Sequence, residues 1–278
     1  MSIHSDIKRT TIPQLMACKG QRKIASLTAH SSSMARLLDD YLDFVLTGDS
    51  TAMVNYGLPD TLTITVEQLT QHAAAVTRAT RRACVVVDMP FGSYQESPAQ
   101  AFRNAAYMMS GSGASSVKLE GGAALAETVA FLVQRGVPVL AHVGLMPQYV
   151  NTMGGYRAQG MNEASAERVM ADAVAHEQAG AWGVVLEGIA EPVARQITER
   201  LSIPTIGIGA SAACDGQVLV TEDMLGLTER TPRFVKRYAD LETVIREAVQ
   251  RYADEVRSGT FPDTSHYFGV QRPKVSNS

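Results

Sequence analysis

Cysteine and tryptophan are scarce in this chain, with 3 and 1 among 278 residues. Cys18, Cys84 and Cys214 are odd in number, far apart, and form neither a CxxC pair nor a zinc-ligand spacing. This argues against a disulfide framework or a structural zinc site and reads as reduced, buried thiols in a cytoplasmic protein. No apolar run reaches the ~18 residues that a membrane-spanning helix needs. The opening stretch "MSIHSDIKRTTIPQ" has no apolar h-region, so it does not read as a secretory signal. Neither sign of charge dominates: 25 basic against 28 acidic residues leave a formal net charge of −3. That balance gives no electrostatic reason to expect nucleic acid or an anionic membrane as partner. No Pro/Gly/Ser-rich linker divides the chain, and no GxGxxG follows the first apolar run, which disfavours a dinucleotide-binding unit.

What the sequence does contain is length and apolar content, 45% hydrophobic, enough for one core of α/β-barrel size. Short β-rich runs alternate with longer helical patterns. "KIASLT" (23–28), "FVLTG" (44–48), "CVVVD" (84–88), "SVKLE" (116–120), "VPVLAH" (137–142), "GVVLE" (183–187) and "IPTIGI" (203–208) read as strands. They are continuous rather than alternating, as parallel strands covered on both faces should be. The eighth strand is placed at "PRFVKRY", 232–238. Thr65 precedes "VEQLTQHAAAVTRA" as a helix cap, Ser97 with Pro98 opens a second helix, and Asn162 or Glu163 opens a third that ends at Gly180. About seven or eight β–α units in one stretch predict a single (β/α)8 barrel domain over 1–278. A preceding helix at about 10–21 is expected to plug the barrel floor, and a polar tail from about residue 269 to fray.

Several predicted strands end in a polar group: Asp49, Asp88, Glu120, His142 and Glu187. The strand C-termini of such a barrel converge on one mouth, where its active sites lie. Carboxylates at the top of an apolar core are expensive to desolvate unless a cation or hydrogen bonds offset them. Asp49, Asp88 and Glu120 come from the second, third and fourth strands, which are neighbours, and supply hard oxygen ligands of the kind magnesium takes. Lys118 lies two residues before Glu120 and so shares its face, where it suits a substrate carboxylate or enolate. Glu187 stands farther round, where a carboxylate suits proton transfer. His142 fits substrate orientation, metal binding or a plain hydrogen-bonded strand end. "GIGAS", 207–211, reads either as an anion cradle or as a glycine turn.

The stretches "LTGDSTAM", "VVVDMPFGSY", "SVKLEGG", "AHVGLMPQ", "GGYRAQG", "VVLEGI", "IPTIGIGA" with "DGQVLV", and "SGTFPDTSHYF" occur in order over about residues 11–268. Together they resemble the ketopantoate hydroxymethyltransferase (3-methyl-2-oxobutanoate hydroxymethyltransferase) family, barrels of the phosphoenolpyruvate-binding type. The resemblance implies transfer of a hydroxymethyl group from 5,10-methylenetetrahydrofolate to a 2-oxo acid, through an enolate stabilised by Mg2+. It implies that Asp49 and Asp88 bind both metal and substrate, with Glu120 as third metal ligand. Ser50 would hold the substrate carboxylate through its backbone N–H, Lys118 and His142 would contact substrate, and Glu187 would accept the proton. Assembly into a homo-oligomer, characteristically a decamer, is also implied. The chain departs from the family pattern in two loops and, more mildly, at "GIGASAACDG" (207–216), where "GIGAGxxxDG" is expected. Thr28-Ala29-His30-Ser31 stands where "TAYD" is expected, and "GLPDTLTIT" (57–65) stands where a "GHDSTLPVT" type of loop is expected. Three alternatives stay open: a paralogue acting on another 2-oxo acid, a magnesium-dependent lyase of the same barrel superfamily, and a catalytically silent barrel. The lyase would need a cysteine in a loop over the mouth.

Overall fold

The structure, a computed structural model, describes residues 9–269; the tail expected beyond Gly269 lies outside the described residues. Eight parallel strands close into a barrel in chain order. They are β1 (Ile24–Thr28), β2 (Phe44–Thr47), β3 (Cys84–Asp88), β4 (Ser116–Glu120), β5 (Val139–Gly144), β6 (Gly183–Glu187), β7 (Thr205–Ile208) and β8 (Gly216–Leu219). The ring is sealed by β8 on β1, with Ser26 opposite Val218. The helices are α1 (Ile12–Met16), α2 (Ser32–Leu38), α3 (Thr51–Val54), α4 (Val66–Ala79), α5 (Pro98–Ser112), α6 (Ala126–Val133), α7 (Val150–Met153), α8 (Glu163–Gln178), α9 (Glu191–Arg200), α10 (Thr221–Met224) and α11 (Leu241–Ser258). The chain forms two compact units, and the closed barrel is complete within the first, which runs to Thr221 and includes Pro232–Val235. In the second unit α11 buries none of its residues.

Local chemistry accounts for the helix starts. Thr65 accepts from the Gln68 N–H while the Gln68 side chain returns to the Thr65 N–H, a capping box at the start of α4. Ser97 accepts from the Gln100 N–H ahead of Pro98 at α5, and Asn162 accepts from the Ser165 N–H at α8.

The eighth strand corrects the sequence-based placement. Residues 232–238 form no strand; a turn closes there, with the Val235 N–H on the Pro232 carbonyl. The strand is "GQVL" at Gly216–Leu219, only four residues long and interrupted by an exposed Gln217. That glutamine donates to the Ser211 carbonyl at 2.9 Å, so a polar residue sits where an apolar run would have advertised a strand.

Strand residues alternate between two cores. One parity packs outward against the helices, as Val45, Val85, Val87, Val117, Leu119, Ala141, Val143, Val184 and Leu186 do. The other fills the barrel with Phe44, Leu46, Cys84, Val86, Leu140, Val185, Ile206 and Val218. Leu15 and Cys18, from α1 and the turn after it, join this inner cluster, so the N-terminal helix does close the floor. Lys19 pins it there, reaching Asp215 at 2.8 Å and the Thr198 carbonyl at 2.6 Å. All three cysteines are buried and free.

Gly144 ends β5 with a φ of +99°, and a Cβ there would meet the Glu187 carbonyl oxygen at 2.4 Å. Gly144→Ala is therefore expected to destabilise the fold by at least about 2 kcal/mol and to displace the end of β6. Chemical denaturation checks this, and wild-type stability in the variant would show that the contact has slack.

Candidate active site

Inward parity carries past the apolar layers to the strand ends. Asp88 continues Cys84 and Val86, Lys118 and Glu120 continue Ser116, His142 continues Leu140, and Glu187 continues Val185. In register, Asp88 is opposite Lys118, and Glu120 is opposite His142. Asp49 comes from the turn after β2, and its N–H donates to Asp88 Oδ2 at 3.0 Å. Six of the seven residues singled out from the sequence thus meet at the mouth. The seventh, Ser50, is the N-cap of α3, with its Oγ 3.5 Å from His30 Nε2.

The cluster is dense in charge. Lys118 Nζ lies 3.1 Å from Asp88 Oδ1 and 3.8 Å from Glu120 Oε1. His142 stands between the two sides of the mouth, Nδ1 3.4 Å from Glu120 Oε1 and Nε2 3.3 Å from Glu187 Oε2. Asp49, Asp88 and Glu120 are at most 5% exposed, whereas the Glu187 side chain is 16% exposed. Glu187 is thus the acid open to an incoming reactant.

Burial raises the Asp49 carboxyl well above its ordinary range, and the neighbouring Asp88 and Glu120 charges raise it further. Burial also raises Asp88, against the pull of Lys118 and the Asp49 N–H. Glu120 is held below its ordinary value because His142, Lys118 and the Gln148 N–H outweigh its burial. Burial opposes charge on His142, but Glu120 and Glu187 lift it to about 9. Three buried carboxyl groups thus share one ammonium and one imidazolium, and of the three Asp49 is the most reluctant to ionise.

The donor set fits a hard divalent cation, since the three acids offer only oxygen. Asp88 Oδ1 makes no well-directed hydrogen bond, its close partner being the Lys118 ammonium. Among the described residues no three Asp, Glu, His or Cys side chains are already drawn round a single point. Lys118 occupies the space between Asp88 and Glu120 instead.

Three residues at the site were not singled out from the sequence as acting there. Gln148, in the loop after β5, bonds to both Asp49 and Glu120, and its side-chain oxygen accepts from Tyr94 at 2.6 Å. Both lie within motifs recognised in the sequence, but as uncharged loop residues they gave no separate signal. The third, Thr51, reaches His30 Nδ1 at 2.7 Å and donates to the Gly48 carbonyl at 2.6 Å. His30, at the altered first loop, is buried beneath Ser50. At residues 207–211 the structure favours the glycine-turn reading. Gly209 has a φ of +61°, and a Cβ there would lie 2.6 Å from the Phe234 ring.

A closed parallel barrel with acids, a lysine and a histidine gathered at its C-terminal mouth has the architecture of (β/α)8-barrel enzymes, whose active sites lie at that end. Among solved structures, a phosphonopyruvate hydrolase in complex with oxalate and Mg2+ superposes with a TM-score of 0.60 at 12% identity, covering 92% of this chain and 93% of that one. A sequence model of the ketopantoate hydroxymethyltransferase family matches residues 9–264. The 3-methyl-2-oxobutanoate hydroxymethyltransferase 1 of Pseudomonas aeruginosa is 56% identical over 98% of this chain and 100% of its own length. That of Burkholderia lata is 55% identical over 98% and 96%. The chain belongs to the ketopantoate hydroxymethyltransferase family and is an enzyme.

His30 provides a test of the mouth's chemistry. Burial, then the nearby His72, lowers its pKa to about 3. The unfolded chain, with an ordinary histidine, therefore takes up the proton first on acidification. The neutral ring's contribution is complete above about pH 6.5 and is lost as pH falls toward 3, by at most about 1.4 kcal/mol per pH unit. Denaturation at about pH 7.5 and about pH 5 should show His30→Asn losing up to about 2 kcal/mol less stability than the parent. Equal losses would clear His30 of responsibility.

Proposed function

We propose that this enzyme transfers a hydroxymethyl group from 5,10-methylenetetrahydrofolate to 3-methyl-2-oxobutanoate, giving 2-dehydropantoate for pantothenate synthesis, with Mg2+ as cofactor. The observation that carries this reading is the arrangement across the mouth. Three buried acids stand on one side and the more open Glu187 on the other, joined through His142. The names of the relatives support the same substrate.

Asp49, Asp88 and Glu120 would hold the cation. When bound, magnesium supplies positive charge beside the substrate's carbonyl and carboxylate oxygens, where negative charge grows as the C3 proton leaves. Ser50 receives the carboxylate on its backbone N–H, at the turn that also positions Asp49. Lys118, on the floor of the mouth, pairs with the developing enolate; its effect on rate depends on binding that enolate better than the ketone. Glu187 takes the proton from C3, and the C–H electrons pass into the enolate. Those electrons then form the new bond to the methylene carbon. The carbon's two bonds to folate nitrogens break, water supplies the hydroxyl, and the proton held by Glu187 and one from water end on those nitrogens as tetrahydrofolate departs. His142 holds the Glu187 carboxylate toward the acids.

The lyase alternative lacks support from the cysteines. Cys18, Cys84 and Cys214 are buried near the strand starts, not in a loop over the mouth. Assembly into a homo-oligomer, a decamer by family resemblance, is supported by α11, whose apolar Val244, Ile245, Val249, Tyr252 and Val256 stay exposed.

Exchange of the C3 proton of 3-methyl-2-oxobutanoate in deuterium oxide tests the reading directly. The enzyme with Mg2+ should exchange it, and cleavage of a 2-hydroxy acid without folate would overturn the assignment. Glu187→Gln should keep Mg2+ and 2-oxo acid binding while exchange slows by at least about 100-fold. Unchanged exchange would strip Glu187 of its role.

A further inference from the structure

Each of the three acids has one carboxylate oxygen occupied by a donor from the protein. Asp88 Oδ2 takes the Asp49 N–H at 3.0 Å. Glu120 Oε2 takes the Gln148 N–H at 3.0 Å, and Asp49 Oδ2 takes the Gln148 side-chain amide at 2.8 Å. Gln148 therefore serves two of the three. The opposite oxygens of Asp88 and Glu120 face Lys118 and, for Glu120, His142.

The orientation of the Gln148 amide is dictated by its neighbours. Its nitrogen donates to Asp49 Oδ2 and to the Met89 carbonyl at 3.0 Å, both pure acceptors. Its oxygen accepts from the Tyr94 hydroxyl at 2.6 Å and lies 3.4 Å from Gln95 Nε2. Turned over, the amide would set oxygen against a carboxylate and a carbonyl. Tyr94 is itself fixed, since its hydroxyl also accepts from the Glu120 N–H at 3.2 Å. The whole device is buried, with Gln148 3% and Tyr94 0% exposed.

A carboxylate oxygen that accepts a hydrogen bond from the protein keeps a second lone pair, but the bond fixes the plane of the group and draws off charge, so ligation through the other oxygen alone is favoured. Magnesium demands compact six-fold geometry and suits such single-oxygen ligands. Calcium accepts six to eight oxygens and often takes both from one carboxylate. We infer that Gln148, held by Tyr94, is a positioning residue that restricts Asp49 to one-oxygen ligation and so sets the site's preference for magnesium over calcium. The inference rests on the magnesium-dependent reading above.

Gln148→Met keeps the length of the side chain and deletes the amide, leaving the backbone N–H on Glu120 in place. Isothermal titration of the full-length protein with MgCl2 and separately with CaCl2 reads the effect without turnover. Mg2+ affinity should fall about 10–100-fold, the range typical of a lost ligand-orienting bond, while Ca2+ affinity changes by less than about threefold. The Mg2+/Ca2+ ratio therefore narrows. Mg2+ affinity within about threefold of wild type, or an equal fall for both ions, would overturn the inference. Tyr94→Phe removes the hydroxyl that holds the amide and should narrow the ratio in the same direction. In the double variant the losses should be less than additive, because both act through one bond to Asp49. Should Gln148→Met fail to fold, Tyr94→Phe carries the test alone, and an unchanged ratio there overturns the inference. A wild-type protein that binds no Mg2+ overturns the underlying reading as well, and so is distinguishable from a failure of Gln148 alone.

Discussion

Everything at the mouth of this barrel depends on the expense of burying negative charge. Asp49, Asp88 and Glu120 sit above a layer of leucine, valine and phenylalanine where solvent does not reach them. An isolated carboxylate there would take up a proton rather than stay charged. Lys118 and His142 relieve part of that penalty, and backbone and side-chain N–H groups on single carboxylate oxygens relieve more. The expense that remains would be offset by the divalent ion proposed to bind there. His142 also ties the two sides of the site together, because it touches the buried acids and the open glutamate at once.

The barrel was legible in the sequence to the extent that hydrophobic patterning was. Seven strands were marked by uninterrupted apolar runs, and α4, α5 and α8 by caps whose side chains make the expected bonds. The eighth strand was not, because Gly216–Leu219 is short and broken by Gln217, while the β-prone Phe234, Val235 and Tyr238 drew the assignment downstream to 232–238. Charged site residues could be found because each ends an apolar strand, and two-residue parity then puts Asp88, Lys118, Glu120, His142 and Glu187 on the inner face. Gln148 and Tyr94 have no such marker. They are neutral, come from loops after β5 and β3, and matter only through bonds whose lengths no sequence states.

The altered first loop keeps a polar link to the turn that carries Asp49. His30 stands where a tyrosine is expected; it is hydrogen-bonded to Thr51 and lies beneath Ser50. A neutral imidazole fills a place beside the turn that carries Asp49 without adding a charge to a centre already crowded with them. The acids, the lysine and Glu187 are untouched by the substitution. The departure at residue 30 therefore changes what packs beneath Ser50 and leaves the contacts among the acids, Lys118 and His142 in place.

The sealed base of the barrel has a kinetic consequence. With Leu15 and Cys18 stoppering the lower end, traffic is one-ended, and whatever occupies the deep acids is covered by whatever arrives next. A small molecule held against those acids would have to enter and leave past Glu187, the most exposed of the four.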